Sequence, residues 1–150
     1  MTIKKILCCV DFSSNADKAF LTSVDLAEKY NAKLHIIHVV PPVVNPLITD
    51  IDIAMPAESS KALVQRLEDQ MAEEYGNRIG ENIDSILSVQ NGHVSSEILN
   101  YLLDKKIDLV ILGAYGLSGV ELVLFGSVAK RIAHKAPCSV MIVREKNEEE

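Results

Sequence analysis

Five short apolar runs recur along the chain, separated by stretches with the three-four spacing of amphipathic helices. This alternation constrains the fold more than any other feature. Ile6-Leu7-Cys8-Cys9-Val10 and Leu109-Val110-Ile111-Leu112 are apolar at every position. Such runs suit strands covered on both faces, as in a parallel sheet, and not strands with one wet face. The pattern predicts strands over Ile3–Val10, Leu34–Val40, Ile83–Gln90, Leu109–Leu112 and Cys138–Val143. It predicts helices from Ser13 or Ser14 to Tyr30, from Ser59 to about Gly80, from a Ser95 cap to Lys105, and from Ser127 to Lys135. Inward faces are expected to carry Ala16, Ala19, Phe20, Val24, Ala27 and Tyr30 on the first helix. On the third they carry Ile98, Leu99, Leu102 and Leu103.

Crossovers between parallel strands of one sheet are right-handed. The expected fold class is therefore α/β: a single domain with an open five-stranded parallel sheet and helices on both faces. If the order is 3-2-1-4-5, it reverses between the first and fourth strands. Ligands of such sheets sit outside the C-terminal strand ends at that reversal. Two segments far apart in sequence meet there, Asp11 with Ser13 and the segment that starts at Gly113.

Charge and cysteine usage narrow the function classes. The 150 residues carry 21 acidic and 15 basic side chains, a net charge of −6. A nucleic-acid backbone or an anionic membrane needs a basic footprint, so neither is an expected partner. A single small phosphate compound remains possible, because backbone amides can hold it. Cys8, Cys9 and Cys138 form no CxxC pair and no even framework, so they read as reduced core residues in a cytoplasmic protein. No apolar stretch reaches the ~20 residues that span a bilayer, and no signal peptide is expected. His35 and His38 fall on opposite faces of one strand and make no metal pair. Residues 1–144 read as the domain and 145–150 as a solvated acidic tail. The apolar, proline-punctuated segment 41–56 reads either as a binding loop or as a segment folded back on its own domain.

The chemistry-bearing motif runs from Gly113 to Ser127, with Gly113, Gly116 and Gly126 in the spacing G-x2-G-x9-G-S. Glycine lets a backbone approach a ligand without a Cβ in the way. Amides leaving a strand end form an oxyanion nest, and a helix opening at Gly126-Ser127 points its first amides outward. The plainer alternative is that the glycines serve turns and packing, with Ser127 a simple cap. The chain has no Gly-Lys pair for a P-loop, and Asp11-Phe12-Ser13-Ser14 stands where a dinucleotide fingerprint would follow the first strand. No catalytic triad or carboxylate pair is assignable, so no catalytic residue is expected.

Val10-Asp11 and His38-Val39 at strand ends, the Gly92 turn, the glycine segment and the closing Ala136-Pro137-Cys138-Ser139-Val140 together resemble the universal stress protein family. The resemblance covers essentially the whole chain, and the glycine pattern looks like that of the ATP-binding subgroup. It implies an adenine nucleotide alpha hydrolase-like fold and an ATP-binding regulatory or stress-response protein with little or slow hydrolysis. Alternatives are a dimeric interaction module without nucleotide and a slow nucleotidyl- or phosphoryl-transfer enzyme. By the resemblance, Asp11 and the Val39 backbone contact adenine, with Ser13 beside them. Gly113 and Gly116 line the ribose and phosphate path, and Gly126, Ser127 and Val128 hold phosphates. Mg²⁺ or Mn²⁺ bridges the phosphate oxygens of ATP, or of AMP or ADP in its place. A homodimer forms through the last strand, residues 138–144. Family members often carry basic or polar residues where this chain has Ala114-Tyr115 and Leu117; Lys130 and Arg131, early in the last helix, are the candidates to compensate.

Overall fold

The structure, a computed structural model, describes residues 1–42, 57–114 and 126–145. Its strands are β1 (Lys5–Cys9), β2 (Lys33–Val40), β3 (Ser85–Asn91), β4 (Leu109–Gly113) and β5 (Ser139–Val143). Its helices are α1 (Ser14–Tyr30), α2 (Ala57–Glu74), α3 (Val94–Lys105) and α4 (Ser127–Lys135), with a 3₁₀ turn at Gly76–Arg78. The strands form one sheet in the order β3-β2-β1-β4-β5, and the pairs are parallel. β1 is central: Cys8 stands opposite Ile36 on β2 and Ile111 on β4.

The pleat divides the core in two. Ile6 and Cys8 point to the face covered by α1 and α2, where Phe20, Leu34, Ile36, Met71, Tyr75 and Ile111 are buried. Leu7 points to the other face, packed with Ile98, Leu102, Val110 and Ile132 under α3 and α4. Burial on both faces is why the inner strands read as unbroken apolar runs. The 3₁₀ turn is tied to α1 by Arg78, which pairs with Asp17 and lies 4.9 Å from the centre of the Phe20 ring.

The structure departs from the sequence reading at helix ends. The second helix stops at Glu74, short of Gly80, because Gly76 and Asn77 are poor helix formers and the chain tightens into the 3₁₀ turn. The cap of α3 is His93 and not Ser95: the His93 ring accepts from the Ser96 amide at 3.4 Å. Gly92, at φ 142, turns the chain one step earlier and leaves Ser95 buried in the first turn. Tyr30 and Leu103 are not inward; they are 51% and 63% exposed. Both lie in last turns, and Tyr101 occupies the inward position of α3 that Leu103 was expected to fill. Most of the 41–56 segment and the tail from 146 lie outside the described residues. No helix among the described residues is long and apolar enough to cross a membrane.

Candidate functional site

The site is built where β1 leaves the sheet. Its last rung to β2 is Val10 N–H to the Ile37 carbonyl, 2.9 Å. In a parallel ladder the next rung is Val39 N–H to the Val10 carbonyl. That carbonyl is instead taken by the His38 ring, with Nδ1 at 2.9 Å. A carbonyl only accepts, so the His38 proton sits on Nδ1. Phe12 follows at φ 63, an uncommon region for an aromatic residue. Its ring rests 4.8 Å from His38 and 5.7 Å from Tyr75, and this packing holds the turn. Asp11 Oδ1 accepts the Ser13 amide at 3.0 Å, and Ser13 Oγ accepts the Ala16 amide at 3.1 Å to cap α1.

β4 supplies the opposite wall. The Ala114 amide donates to the Val143 carbonyl at 2.9 Å, and the Gly126 amide donates to the Ala114 carbonyl at 2.8 Å. α4 therefore begins beside the end of β4. The two described glycines of the motif differ in kind. A Cβ on Gly113 would lie 3.0 Å from the Asn15 carbonyl oxygen, so glycine there admits the first turn of α1. Gly126 has φ −54 and ψ 153, which any residue adopts, and among the described residues a Cβ there would meet the Ala114 oxygen alone, at 3.5 Å. Within the described residues, neither backbone nor packing requires glycine at 126. It is the N-cap of α4 without a side-chain cap bond, which leaves the first α4 amides uncovered from that side.

Between these walls lies a cavity of about 340 Å³, within the range of small-ligand sites. Asp11, His38, Val39, Gly113, Ala114, Gly126, Ser127 and Val128 line it at the strand ends. Apolar groups complete the lining, among them Cys9, Ile37 and Leu112, with Val94 and Ile98 from α3. Burial pushes the Cys9 thiol well above its ordinary range and Cys8 up to about 12, so both stay protonated and un-nucleophilic. No Lys or Arg lines the cavity among the described residues, and the sequence holds none between Lys106 and Lys130.

The model of the universal stress protein family matches residues 2–144. The chain belongs to that family. A universal stress protein of Methanocaldococcus jannaschii is 31% identical across 97% of this chain and 85% of its own length. Among solved structures, the universal stress protein UspA from Lactobacillus plantarum superposes with a TM-score of 0.77 at 23% identity, over 96% of this chain and 99% of that one. A universal stress protein solved in complex with cAMP superposes at 0.69, with 21% identity over 96% and 98% of the two chains. An Arabidopsis thaliana family member solved with AMP bound superposes at 0.62, with 15% identity over 97% and 94%.

In this universal stress protein the fold brings Asp11, Val39, Gly113, Gly126, Ser127 and Val128 to one cavity. Ser13 does not line it. Its Oγ accepts the Ala16 amide to cap α1, which leaves the hydroxyl proton to donate elsewhere. Gly116 and Tyr115 lie outside the described residues. Lys130 and Arg131 do not line the cavity, because α4 runs away from it after its first turn. The α3 wall, Val94 and Ile98, was not read from sequence; the Gly92 turn, which starts α3 beside the crevice, was the available signal. His38 was read only as part of a strand-end motif, since a ring-to-carbonyl bond across two strands leaves no local pattern.

Proposed function

We propose that this universal stress protein binds an adenine nucleotide at the ends of β1 and β4 and acts as a regulatory nucleotide holder rather than as an efficient enzyme. The ligand is ATP, or AMP or ADP in its place. The observation that carries the reading is Gly126, a glycine that no described neighbour requires, placed where the first amides of α4 meet the cavity. Amides and helix dipole favour a phosphate there, and the Ser127 hydroxyl adds a donor. Val39 supports the base end: its amide and carbonyl lie beyond the last β1 rung, where no backbone bond to them is found among the described residues. The family members solved with cAMP and AMP support the adenine nucleotide class.

Among the described residues the lining has no Lys or Arg, so a triphosphate needs another counter-charge. Mg²⁺ or Mn²⁺ would supply it, and Asp11, the carboxylate among the described lining residues, would help to hold the ion. When bound, the ion neutralises phosphate charge; Gly126, Ser127 and Val128 orient the phosphates. Among the described residues the polar side chains of the lining are Asp11, His38 and Ser127, and the first two are engaged locally, so none of the three is set up as a base for an attacking water. The nucleotide state would bias an assembly or a partner in a stress response.

Calorimetric titration with ATP and Mg²⁺ tests the reading. Binding is expected with the ion and is weakened at least about tenfold by EDTA. Gly126→Val fits the backbone and is expected to abolish binding with the melting temperature nearly unchanged. Absence of heat with millimolar ATP and Mg²⁺, or full ATP affinity in Gly126→Val, overturns it.

A further inference from the structure

Hydrogen-bond parity shows which way each β2 residue faces. Lys33 N–H donates to the Lys4 carbonyl and the Ile37 carbonyl accepts from Val10 N–H, so odd β2 residues bond toward β1. Leu34 N–H donates to the Asp84 carbonyl and the Val40 carbonyl accepts from Gly92 N–H, so even ones bond toward β3. Val39 therefore turns both its amide and its carbonyl toward β1, where β1 has already left. Val39 is buried and lines the cavity. The rung to the Val10 carbonyl is absent among the described backbone bonds, and His38 Nδ1–H occupies that carbonyl. The Phe12 amide, which would complete the rung on the other side, lies against the Tyr75 phenol. A buried donor and acceptor without backbone partners are poised for a ligand or water.

We propose that His38 is a positioning residue for base recognition: by occupying the Val10 carbonyl, its imidazole stops the β1–β2 ladder one rung early and keeps the Val39 amide and carbonyl open to the cavity. This rests on the nucleotide reading above. The exposed pair is an acceptor beside a donor. Adenine presents a donor, its N6 amine, beside a ring-nitrogen acceptor, and guanine presents the acceptor O6 in place of that amine. The Val39 carbonyl thus pairs with adenine and faces an oxygen in guanine. Without the imidazole, the Val10 carbonyl is the acceptor that parallel pairing assigns to Val39 N–H, and closing that rung removes the donor. Phe12, packed on the His38 ring, holds the ring in place.

The test reads the edge directly and then its selectivity. In the ligand-free protein, amide exchange followed by NMR is expected to be at least about tenfold faster at Val39 than at Ile37, whose bonds to β1 are complete. His38→Leu is expected to protect Val39 as the rung closes. His38→Asn is expected to leave it fast, because the Asn Nδ2–H reaches the Val10 carbonyl from the position of the histidine Nδ1. By calorimetry with Mg²⁺, His38→Leu is expected to lose about tenfold of the wild-type preference for ATP over GTP, on the scale of one hydrogen bond, and His38→Asn to keep it. Equal protection of Val39 and Ile37 in the wild type overturns the inference, as does an unchanged ATP:GTP ratio in His38→Leu. If the wild type binds neither nucleotide, the nucleotide reading falls, and the exchange rates alone decide whether His38 holds the edge open.

Discussion

Gly113 and Gly126 lack a side chain for opposite reasons, and single substitutions separate them. At Gly113 a methyl group would lie 3.0 to 3.2 Å from Asn15 atoms, two of them backbone, which cannot yield without moving the start of α1. Gly113→Ala is expected to lower stability by about 1–3 kcal/mol in urea denaturation, the usual cost of overpacking. Gly126→Ala is expected to change stability by less than about 0.5 kcal/mol in the same measurement. Spacing made both residues candidates, but only the fold tells them apart: Asn15 is remote in sequence from Gly113. Ser13 teaches the converse. Its cap role follows from local chemistry alone, and the structure shows Oγ in that role, accepting the Ala16 amide.

Whole elements are held by groups that no local pattern identifies. α3 is fixed to β2 by a buried pair in which His35 Nδ1 meets the Tyr101 hydroxyl at 2.8 Å, while His35 Nε2 is buried without a partner. Burial holds the His35 pKa below its ordinary value of about 6.5, and Lys33, Lys5 and Lys105 add to the effect. The folded protein thus favours neutral His35, and the unfolded chain takes up the proton first. The stability this contributes is fully present above the unfolded pKa and is lost as pH falls below it toward the folded value. Thermal melts are expected to show stability falling between about pH 7 and pH 5, and His35→Phe is expected to flatten that fall relative to the wild type. Acidic residues that titrate lower are common to both proteins, so the difference between the two curves isolates His35. His35 read from sequence as an isolated histidine. Its burial and its Tyr101 partner come from the crossing of α3 over β2, which helix periodicity does not encode.

At the scale of the whole molecule, the edge strand β5 is where the proposed homodimer can be tested. In β5 the Val143 carbonyl bonds back to Ala114, so Ser139, Met141 and Val143 face β4 and the backbone groups of Val140 and Ile142 face outward. An outward edge with half-buried apolar neighbours is the element through which a homodimer would pair. Val140→Pro removes an outward donor without breaking a β4 rung. Sedimentation equilibrium is expected to show a dimer for the wild type and a monomer for Val140→Pro; a monomeric wild type would remove β5 as the interface. The same scale explains why a net charge of −6 says little about the crevice. Among the described residues its lining carries one carboxylate, Asp11, and the first amides of α4, so the local balance differs from the total.

The amino-acid sequence by itself determined the kinds of element, their order, the α/β class and the position of the crevice. These depend on hydrophobic period, caps and glycine punctuation, which act over a few residues, and on the handedness of crossovers, which is general. It also placed Asp11, Val39 and the glycine segment at strand ends. Only the tertiary structure decided which glycine makes room for α1 and which leaves helix amides open. Only it decided that His38 ends the ladder, that His35 is sealed against Tyr101, and that α3 walls the cavity. Each of these is a contact between residues distant in the chain, set by packing of the two faces of the sheet, and packing is invisible to any local pattern.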